Sequence, residues 1–240
     1  MSGQYIEPMS LLKHALPSQC EVCRQWAGAA LCGDCVARFA SAVPRCRRCA
    51  LRLGAAAAQC GECLHSPPPF EATVCAVDYA YPWSQVIADF KFNDRPELAG
   101  ALAERLVAAW RVASLPLPEF VLPIPLAPQR LASRGYNQAW ELARRAARAL
   151  ALPARHDILL RTLDTAQQAD LGRAERQRNL RTAFMVDPRQ RVALHGCAVA
   201  LVDDVMTTGA TAREAAAQLL RAGAASVQMW VVARTPAKGD

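Results

Sequence analysis

The chain has 240 residues, of which 52% are hydrophobic and 20% are charged, and its mean hydropathy is +0.04. This composition excludes a largely disordered chain, because disordered segments are poor in apolar residues and dense in charge. A membrane-spanning helix needs about 20 apolar residues, whereas the apolar stretch Ala193–Val202 has 10. The first residues lack the basic segment and long apolar run of a secretory signal. We therefore expect a cytoplasmic protein of one or two domains, without a membrane span.

Ten residues are cysteines, and eight of them form four C-x-x-C pairs. In a chain of this length without an export signal, such spacing is typical of metal sites rather than of disulfides. Lys and Arg outnumber Asp and Glu by 28 to 21, which gives a formal charge of +7. Eight metal-bound thiolates would add negative charge that two Zn²⁺ ions only half neutralise. Net charge is therefore weak evidence for nucleic-acid binding.

The cysteine pairs come first in the chain. Each C-x-x-C turn places two thiolates on one side of a tight knuckle, and two knuckles complete the four-sulfur shell of a structural zinc site. Four pairs therefore predict two zinc sites with no open position for catalysis, although redox-active pairs are the alternative. The simplest grouping joins neighbouring pairs, but the spacing also permits interleaved ones. The predicted ligands are Cys20, Cys23, Cys32 and Cys35 for one zinc ion, and Cys46, Cys49, Cys60 and Cys63 for the other.

The composition changes near residue 66, where Ser66 is followed by three prolines. Because such a sequence is a stiff, extended connector, we expect a cysteine-rich module over residues 1–66 and a second domain over residues 67–240. In the second domain, apolar runs that predict strands alternate with helical patterns, which is typical of a parallel α/β sheet. Strands are predicted at Thr73–Tyr79, Phe120–Ile124, Cys197–Val202 and Val227–Ala233, and helices at Ser84–Phe90, Leu98–Val112, Asn137–Leu150 and Thr211–Ala222.

The most informative segment is residues 199–211, VALVDDVMTTGAT. We expect the strand to end at Val202, so that Asp203 and Asp204 lie where parallel sheets bind their ligands. Gly209 permits a tight turn in which N–H groups converge on an anion, and the helix that follows presents more of them. The two carboxylates would accept hydrogen bonds from ribose hydroxyls or help to hold a hydrated Mg²⁺ ion. An ordinary capped turn would explain the glycine but not the paired acids, and the sequence contains no P-loop motif.

This segment resembles the phosphoribosyl-pyrophosphate (PRPP) binding motif of type I phosphoribosyltransferases: an apolar strand, two acids and Thr-Thr-Gly. Residues 123–126 (PIPL) with Arg130 and residues 134–138 (RGYNQ) resemble the PVPL…R…RGFNQ segment of ComF-type competence proteins, with Tyr136 in place of Phe. Residues 168–179 resemble that family's Q-x-x-L-x-x-x-x-R-x-x-N stretch, and the cysteine pairs resemble its double zinc ribbon. The resemblance to the ComF family thus covers nearly the whole chain in the same order.

The resemblance implies a Rossmann-like type I phosphoribosyltransferase domain preceded by a double zinc ribbon. It implies that Asp203 and Asp204 contact the ribose hydroxyls and the Mg²⁺ ion that accompanies PRPP. It also implies that Thr162–Thr182 is a flexible loop over the ligand. The guanidinium groups of this loop would pair with phosphate oxygens of the leaving pyrophosphate. The expected catalytic residues of the loop are Arg173 and Arg176, and the expected phosphate-binding residues are Thr207, Thr208, Gly209, Ala210, Thr211, Arg130 and Arg134.

Two functions fit these features. The first is Mg²⁺-dependent transfer of a phosphoribosyl group from PRPP to a nitrogenous acceptor that the sequence does not identify. The resemblance implies that this activity is linked to DNA uptake, natural transformation or the use of DNA-derived nucleotides, with proteins of the competence machinery as expected partners. The second function, suggested by the family's name, is a non-catalytic module that binds single-stranded DNA or senses PRPP during DNA uptake.

The arginine distribution bears on the second function. Residues 128–155 contain six Arg and one Glu, and Arg144, Arg145 and Arg148 would give one helix a basic edge able to contact phosphates. A solvated charged face explains the same residues equally well. Lys91–Arg95 is predicted to form a rim of the PRPP site.

Overall fold

The structure is a computed structural model that describes residues 18–54, 57–162 and 183–237. The chain divides into two compact units, the first ending at Ser41 and the second beginning at Ala42. Of the predicted loop Thr162–Thr182, all but its first residue lies outside the described residues, and so do Arg173 and Arg176. Within the described ranges, no helix has the length and apolarity that a membrane crossing requires.

The first unit is a small ribbon built around two cysteine knuckles. Strand β1 (Ser18–Gln19) pairs in antiparallel fashion with β2 (Trp26–Ala27), and helix α1 (Gly33–Phe39) follows. Cys32 is the N-cap of α1, and its Sγ accepts a hydrogen bond from the N–H of Cys35 at 3.4 Å. A thiolate at a helix N-terminus satisfies an N–H group that has no partner within the helix.

A parallel sheet forms the centre of the second unit. The strands of this unit are β3 (Ala72–Asp78), β4 (Phe120–Pro123), β5 (Leu159–Arg161), β6 (Phe184–Val186), β7 (Ala198–Met206) and β8 (Ser226–Arg234). The sheet has the order β3-β8-β7-β4 with every neighbouring pair parallel, while β5 and β6 form a separate antiparallel pair. The four predicted strands are therefore the four strands of this sheet, and the predicted α/β class is confirmed.

Helices cover both faces of the sheet. Successive residues of a strand point to opposite faces, so a strand of mostly apolar residues presents apolar side chains on both of them. Leu201 and Met229 belong to the core that includes the side chains of the last helix, whereas Trp230 packs against Trp110 with ring centroids 6.0 Å apart. Buried strands with long apolar runs, such as β8, are expected in this arrangement. The helices that the structure describes in this unit are α2 (Gly61–His65), α3 (Trp83–Phe92), α4 (Ala99–Ala113), α5 (Pro128–Arg134), α6 (Gln138–Ala149), α7 (Arg191–Leu194) and α8 (Ala210–Arg221).

The second pair of cysteine knuckles belongs to the same compact unit as the sheet. The carbonyl groups of Arg47 and Arg48 accept hydrogen bonds from the N–H (2.9 Å) and hydroxyl of Thr73 in the edge strand β3. Arg48 in turn donates to the carbonyl of Phe70 at 3.0 Å, and Arg45 forms an ion pair with Asp78 at 2.6 Å. The structural division at residue 41 thus differs from the predicted boundary at residue 66, because these bonds join both sides of the Pro-rich connector.

Strand β7 is longer than predicted. It was expected to end at Val202, but it remains paired with β8 as far as Met206, which lies opposite Arg234. The two acids therefore belong to the strand rather than to a loop after it. Asp203 lies opposite Val231 of β8, so the ladder continues although the sequence becomes polar. The short elements α2, α5, α7, β5 and β6 of this unit were not predicted.

Candidate phosphate and metal sites

The eight paired cysteines form two groups of four among the described residues, and within each group all sulfur atoms lie within 4.8 Å of one another. The Sγ–Sγ distances are 3.7 Å between Cys23 and Cys32 and 3.6 Å between Cys49 and Cys60. A tetrahedral zinc site with Zn–S bonds of about 2.3 Å has sulfur atoms about 3.8 Å apart, whereas a disulfide bond measures about 2.05 Å. The cysteines therefore fit Zn²⁺. The grouping is Cys20, Cys23, Cys32, Cys35 and Cys46, Cys49, Cys60, Cys63, so the interleaved alternative is wrong.

Backbone N–H groups prepare one thiol in each group for metal binding. Burial opposes the ionisation of Cys20, but hydrogen bonds from backbone amides, including that of Cys32, outweigh it and lower the pKa of the thiol to about 6. In the same way, burial of Cys46 is outweighed by the amides of Cys49 and Cys60, and its pKa falls to about 7. Thiolates are the form that binds zinc, so these amides favour the metal-bound state.

We expect the purified protein to contain two zinc ions per chain, and the variant Cys32→Ser/Cys35→Ser to contain one. Each group supplies a complete four-sulfur shell, so the loss of two ligands should empty one site only. Metal analysis by mass spectrometry measures this, with Cys197→Ser as the control because that thiol lies outside both groups. A variant that loses both ions would show that the two sites do not bind metal independently.

Two carboxylates stand at the carboxyl end of β7. Asp204 is buried, with 8% of its surface exposed, and forms an ion pair with Lys91 of α3 at 2.9 Å. Asp203 is half-buried, and one of its oxygens accepts the N–H of Asp204 at 2.9 Å. Burial raises the pKa of Asp203 to about 7, and the charge of Asp204 contributes in the same direction, while Lys91 and Arg161 oppose the shift.

The raised pKa of Asp203 predicts a pH-dependent stability difference for Asp203→Asn. The unfolded carboxyl ionises near its ordinary value of 3.8, so between that pH and about 7 folding takes up a proton, and stability falls as the pH rises through this window. At pH 8 the folded protein bears the full cost of the buried charge, which asparagine removes at equal volume. We expect the melting temperature of the variant to exceed that of the wild type by a few degrees at pH 8 and to match it closely near pH 4, in buffer without divalent cations.

Asp187→Asn is the control for this comparison, because Asp187 caps a short 3₁₀ helix and lies outside the acidic pair. It should show no gain that grows with pH. Equal melting temperatures of the wild type and Asp203→Asn at pH 8 would contradict the electrostatic description of the acidic pair.

The turn after β7 joins this strand to the N-terminus of α8. Thr207 and Thr208 are exposed, and the Oγ1 of Thr208 accepts the N–H of Ala210 at 3.3 Å. Gly209 is the N-cap of α8 with φ of +76°, a conformation in which any side chain would be strained. The first N–H groups of a helix have no partner within it and lie at the positive end of its dipole. The predicted residues 207–211 are thus placed at a helix N-terminus that continues directly from the acidic pair.

A pocket of about 700 Å³ adjoins the acidic pair through Lys91, which lines it and also contacts Asp204. Its other cationic lining residues are Arg130 and Arg134 of α5, so both predicted arginines lie here. The Arg134 guanidinium stands over the ring of Phe92 at 5.0 Å. The remaining lining residues are Asp94, Ala132, Ser133, Gly135 and Tyr136. Three cations against one carboxylate give the lining of this pocket an excess of positive charge.

The RGYNQ segment fixes the wall of this pocket. The Tyr136 hydroxyl donates to the carbonyl of Phe90 in α3, and the Asn137 amide donates to the carbonyl of Ile124 at 3.1 Å. Asn137 is also the N-cap of α6, since its Oδ1 accepts the N–H groups of the first turn. The segment therefore joins α3, α5 and α6 around the pocket.

Sequence patterns did not reveal two arginines of this region. Arg161 ends the three-residue strand β5, lies over the ring of Phe184 at 5.2 Å, and acts electrostatically on Asp203. Arg234 ends β8 and donates to the carbonyls of Met206 and Thr207, where β7 meets residues 207–209, the candidate phosphate turn. Both follow apolar runs, but nothing in the sequence indicates that these strand ends meet the turn.

Fold and site together define an α/β protein with two carboxylates before a strand–turn–helix and two groups of four cysteines that could each hold a metal ion. No model of a known protein family matches the chain. The chain is 36% identical over 230 residues to the DNA utilization protein YhgH of Escherichia coli (strain K12). The aligned region covers 92% of this chain and 98% of that protein. It is 35% identical over 214 residues to Competence protein F of Haemophilus influenzae, at 85% and 90% coverage. The chain belongs to the ComF family.

Weaker similarities connect the chain with solved structures. Glutamine PRPP amidotransferase from B. subtilis aligns with a TM-score of 0.36 and 21% identity over 57% of this chain and 25% of that chain. Adenine phosphoribosyltransferase from Leishmania tarentolae aligns with a TM-score of 0.39 and 17% identity over 65% and 76%. Likenesses of this size assign no ligand or activity to the chain.

Proposed function

We propose that the carboxyl edge of β7 binds PRPP together with Mg²⁺, and that the protein transfers the phosphoribosyl group to a nitrogenous acceptor with release of pyrophosphate. One observation carries the proposal. Two carboxylates lie at the carboxyl end of a strand in a parallel sheet, and a glycine turn and a helix N-terminus follow them in the chain. Carboxylates bind ribose hydroxyls and helix N-termini bind phosphate. The succession therefore matches a ribose 5-phosphate in one orientation.

Each group has a role in this reaction. The amides at the start of α8 hold the 5′-phosphate. Asp203 and Asp204 accept hydrogen bonds from the ribose hydroxyls and stabilise the positive charge that develops at C1′ as its bond to the pyrophosphate oxygen breaks and the bond to the acceptor nitrogen forms. When bound, Mg²⁺ supplies charge neutralisation for the pyrophosphate. Arg173 and Arg176, proposed from the resemblance alone, would act on the same leaving group.

The pocket beside the acidic pair supports this assignment. Arg130 and Arg134 present guanidinium groups that match phosphate oxygens, and Lys91 stands between the pocket and Asp204. The ammonium group of Lys91 already pairs with the Asp204 carboxylate at 2.9 Å. Binding of PRPP with Mg²⁺ would bring both a cation for Asp204 and an anion for Lys91, so the two charges can exchange partners without either being left unpaired.

The double variant Asp203→Asn/Asp204→Asn should bind PRPP–Mg²⁺ at least tenfold more weakly than the wild type, because each lost charge-assisted hydrogen bond contributes about 1.5–3 kcal/mol. Isothermal titration calorimetry of the zinc-loaded protein measures the affinity, and pyrophosphate release with a panel of nucleobases measures turnover. The control is Glu104→Gln/Asp187→Asn, which removes the same number of charges outside the site. Equal affinities of wild type and Asp203→Asn/Asp204→Asn would refute the assignment, and binding without turnover would favour the sensing function.

Binding of single-stranded DNA is a second candidate, favoured by the names of the relatives. One is called a DNA utilization protein and another a competence protein. The expected basic edge of α6 is partly neutralised, since Arg144 and Arg145 both form ion pairs with Glu141. Arg148 is exposed and has no ion pair within the described residues. A DNA strand on this face would therefore compete with Glu141 for two of the three arginines.

If this face binds DNA, the substitution of Arg144, Arg145 and Arg148 by Gln should flatten the slope of log K against log[salt] by up to about 2, at about 0.7 for each phosphate contact. Glu141→Gln should instead strengthen DNA binding and steepen this slope, because it frees the guanidinium groups of Arg144 and Arg145. Fluorescence anisotropy with a labelled oligonucleotide at several salt concentrations measures both. A slope that neither substitution changes would show that the face is only solvated. Glutamine keeps a good helix propensity, so α6 should persist.

A further inference from the structure

One arginine connects the second cysteine group with the phosphate turn. Arg234 is the last residue of β8, and 9% of its surface is exposed. Its Nε donates a hydrogen bond to the carbonyl of Cys49 at 3.0 Å. Its Nη1 donates to the carbonyls of Met206 at 3.2 Å and Thr235 at 2.8 Å, and also to that of Thr207. A single planar guanidinium therefore bridges a cysteine of the second group, the last residue of β7 and the first residue of the turn.

Arginine is suited to this position because its N–H groups lie in one rigid plane and point to different sides. A lysine carries one nitrogen at the end of a flexible chain and cannot reach both segments with the same geometry. Asp78 lies opposite Arg234 in the ladder of β3 and β8, but it forms its ion pair with Arg45. The hydrogen bonds of Arg234 go to carbonyl groups, and a buried cation without an ion pair of its own is costly. An anion on the turn would lower that cost, since it places negative charge near Arg234.

The other end of the bridge is held by metal coordination. Cys49 is one of the four ligands of the second group, and its sulfur would be fixed by the zinc ion. The neighbouring carbonyls of Arg47 and Arg48 are bonded to Thr73 of the edge strand. The Cys49 carbonyl therefore has a defined position when the metal is bound, and it loses one of its anchors when the metal leaves.

We propose that Arg234 is a positioning residue that couples the second zinc site to the phosphate turn. Zinc bound by Cys46, Cys49, Cys60 and Cys63 orients Arg234, and Arg234 holds the carbonyls of Met206 and Thr207 so that the amides that follow face the anion. Because coupling between two binding sites is reciprocal, an anion on the turn must raise the equilibrium affinity of the second group for its zinc ion. The identity of the anion as PRPP rests on the proposed function, whereas the coupling itself does not.

The test compares Arg234→Lys with Arg45→Lys in the full-length, zinc-loaded protein. Arg45 is the matched control, because it docks the same cysteine segment on β3 through Asp78 and bonds the carbonyl of Ala50, but makes no hydrogen bond to the turn. Hydrogen–deuterium exchange reports on the amides of residues 207–211 without any ligand. We expect exchange at least about fivefold faster in Arg234→Lys than in the wild type, and unchanged in Arg45→Lys. Equal exchange in the two variants would overturn the proposal.

The reciprocal effect is measured without changing Arg234, so it remains decisive if Arg234→Lys does not fold. In Cys32→Ser/Cys35→Ser the second group alone holds zinc, and its zinc affinity is measured by equilibrium competition with a chromogenic chelator, with and without PRPP–Mg²⁺. We expect PRPP to tighten zinc binding about fivefold or more, within the usual range of coupling between sites. An unchanged zinc affinity in protein saturated with PRPP would overturn the coupling.

The two proposals fail in different ways. If calorimetry detects no binding of PRPP, the proposed function fails, and the ligand-free exchange comparison still decides the role of Arg234. If PRPP binds with equal affinity to the wild type and Arg234→Lys, the proposed function stands and the positioning role is wrong.

Discussion

The pairing of β7 with β8 continues for four residues beyond the end of the apolar run at Val202, and the candidate site depends on this continuation. Because Val205 and Met206 remain in the ladder, the carboxylates of Asp203 and Asp204 are held on a strand rather than on a mobile loop. The turn that follows therefore begins at a fixed position at the carboxyl edge of the sheet, and α8 starts directly after Gly209. A site on rigid elements can hold charged groups in positions that are unfavourable in the absence of ligand.

Like charges are brought together here, and the structure compensates for them with cations from several elements. Asp204 forms an ion pair with Lys91 of α3. The positive charge of Lys91 and, more weakly, that of Arg161 also oppose the rise in the pKa of Asp203. The raised pKa of Asp203 shows that this compensation is incomplete. Incomplete compensation is a common property of binding sites, because a ligand that supplies the missing charge gains affinity from it. In this account the stability lost at the acidic pair is recovered when the sugar and its cation bind.

Much of this arrangement could be predicted from the sequence, because local patterns encode it. The four apolar runs predicted the four strands of the parallel sheet, and the cysteine spacing predicted two four-sulfur groups. The two acids and Gly209, which follow an apolar run directly, marked the end of one strand as a candidate site. These features depend on residues that are close in the chain, and each has one dominant physical cause.

What the sequence did not reveal depends on contacts between distant segments. The end of β7 is set by β8, which pairs with residues that look like a loop in isolation. Arg234 gains its role from carbonyls in three separate parts of the chain, and no periodicity marks such a residue. The compact unit extends to Ala42 because the second cysteine group is bonded to β3, although the composition suggests a boundary at residue 66. The strands β5 and β6 are too short to give a pattern.

The central claim is that β7, its turn and α8 form the PRPP site. The most direct test is a crystal structure of the zinc-loaded protein with PRPP and Mg²⁺. We expect the 5′-phosphate within hydrogen-bonding distance of the amides of residues 208–211, the ribose hydroxyls on the two carboxylates, and Lys91 moved from Asp204 to the pyrophosphate. A structure in which PRPP binds elsewhere, or in which the Lys91–Asp204 pair persists with PRPP bound, would contradict it.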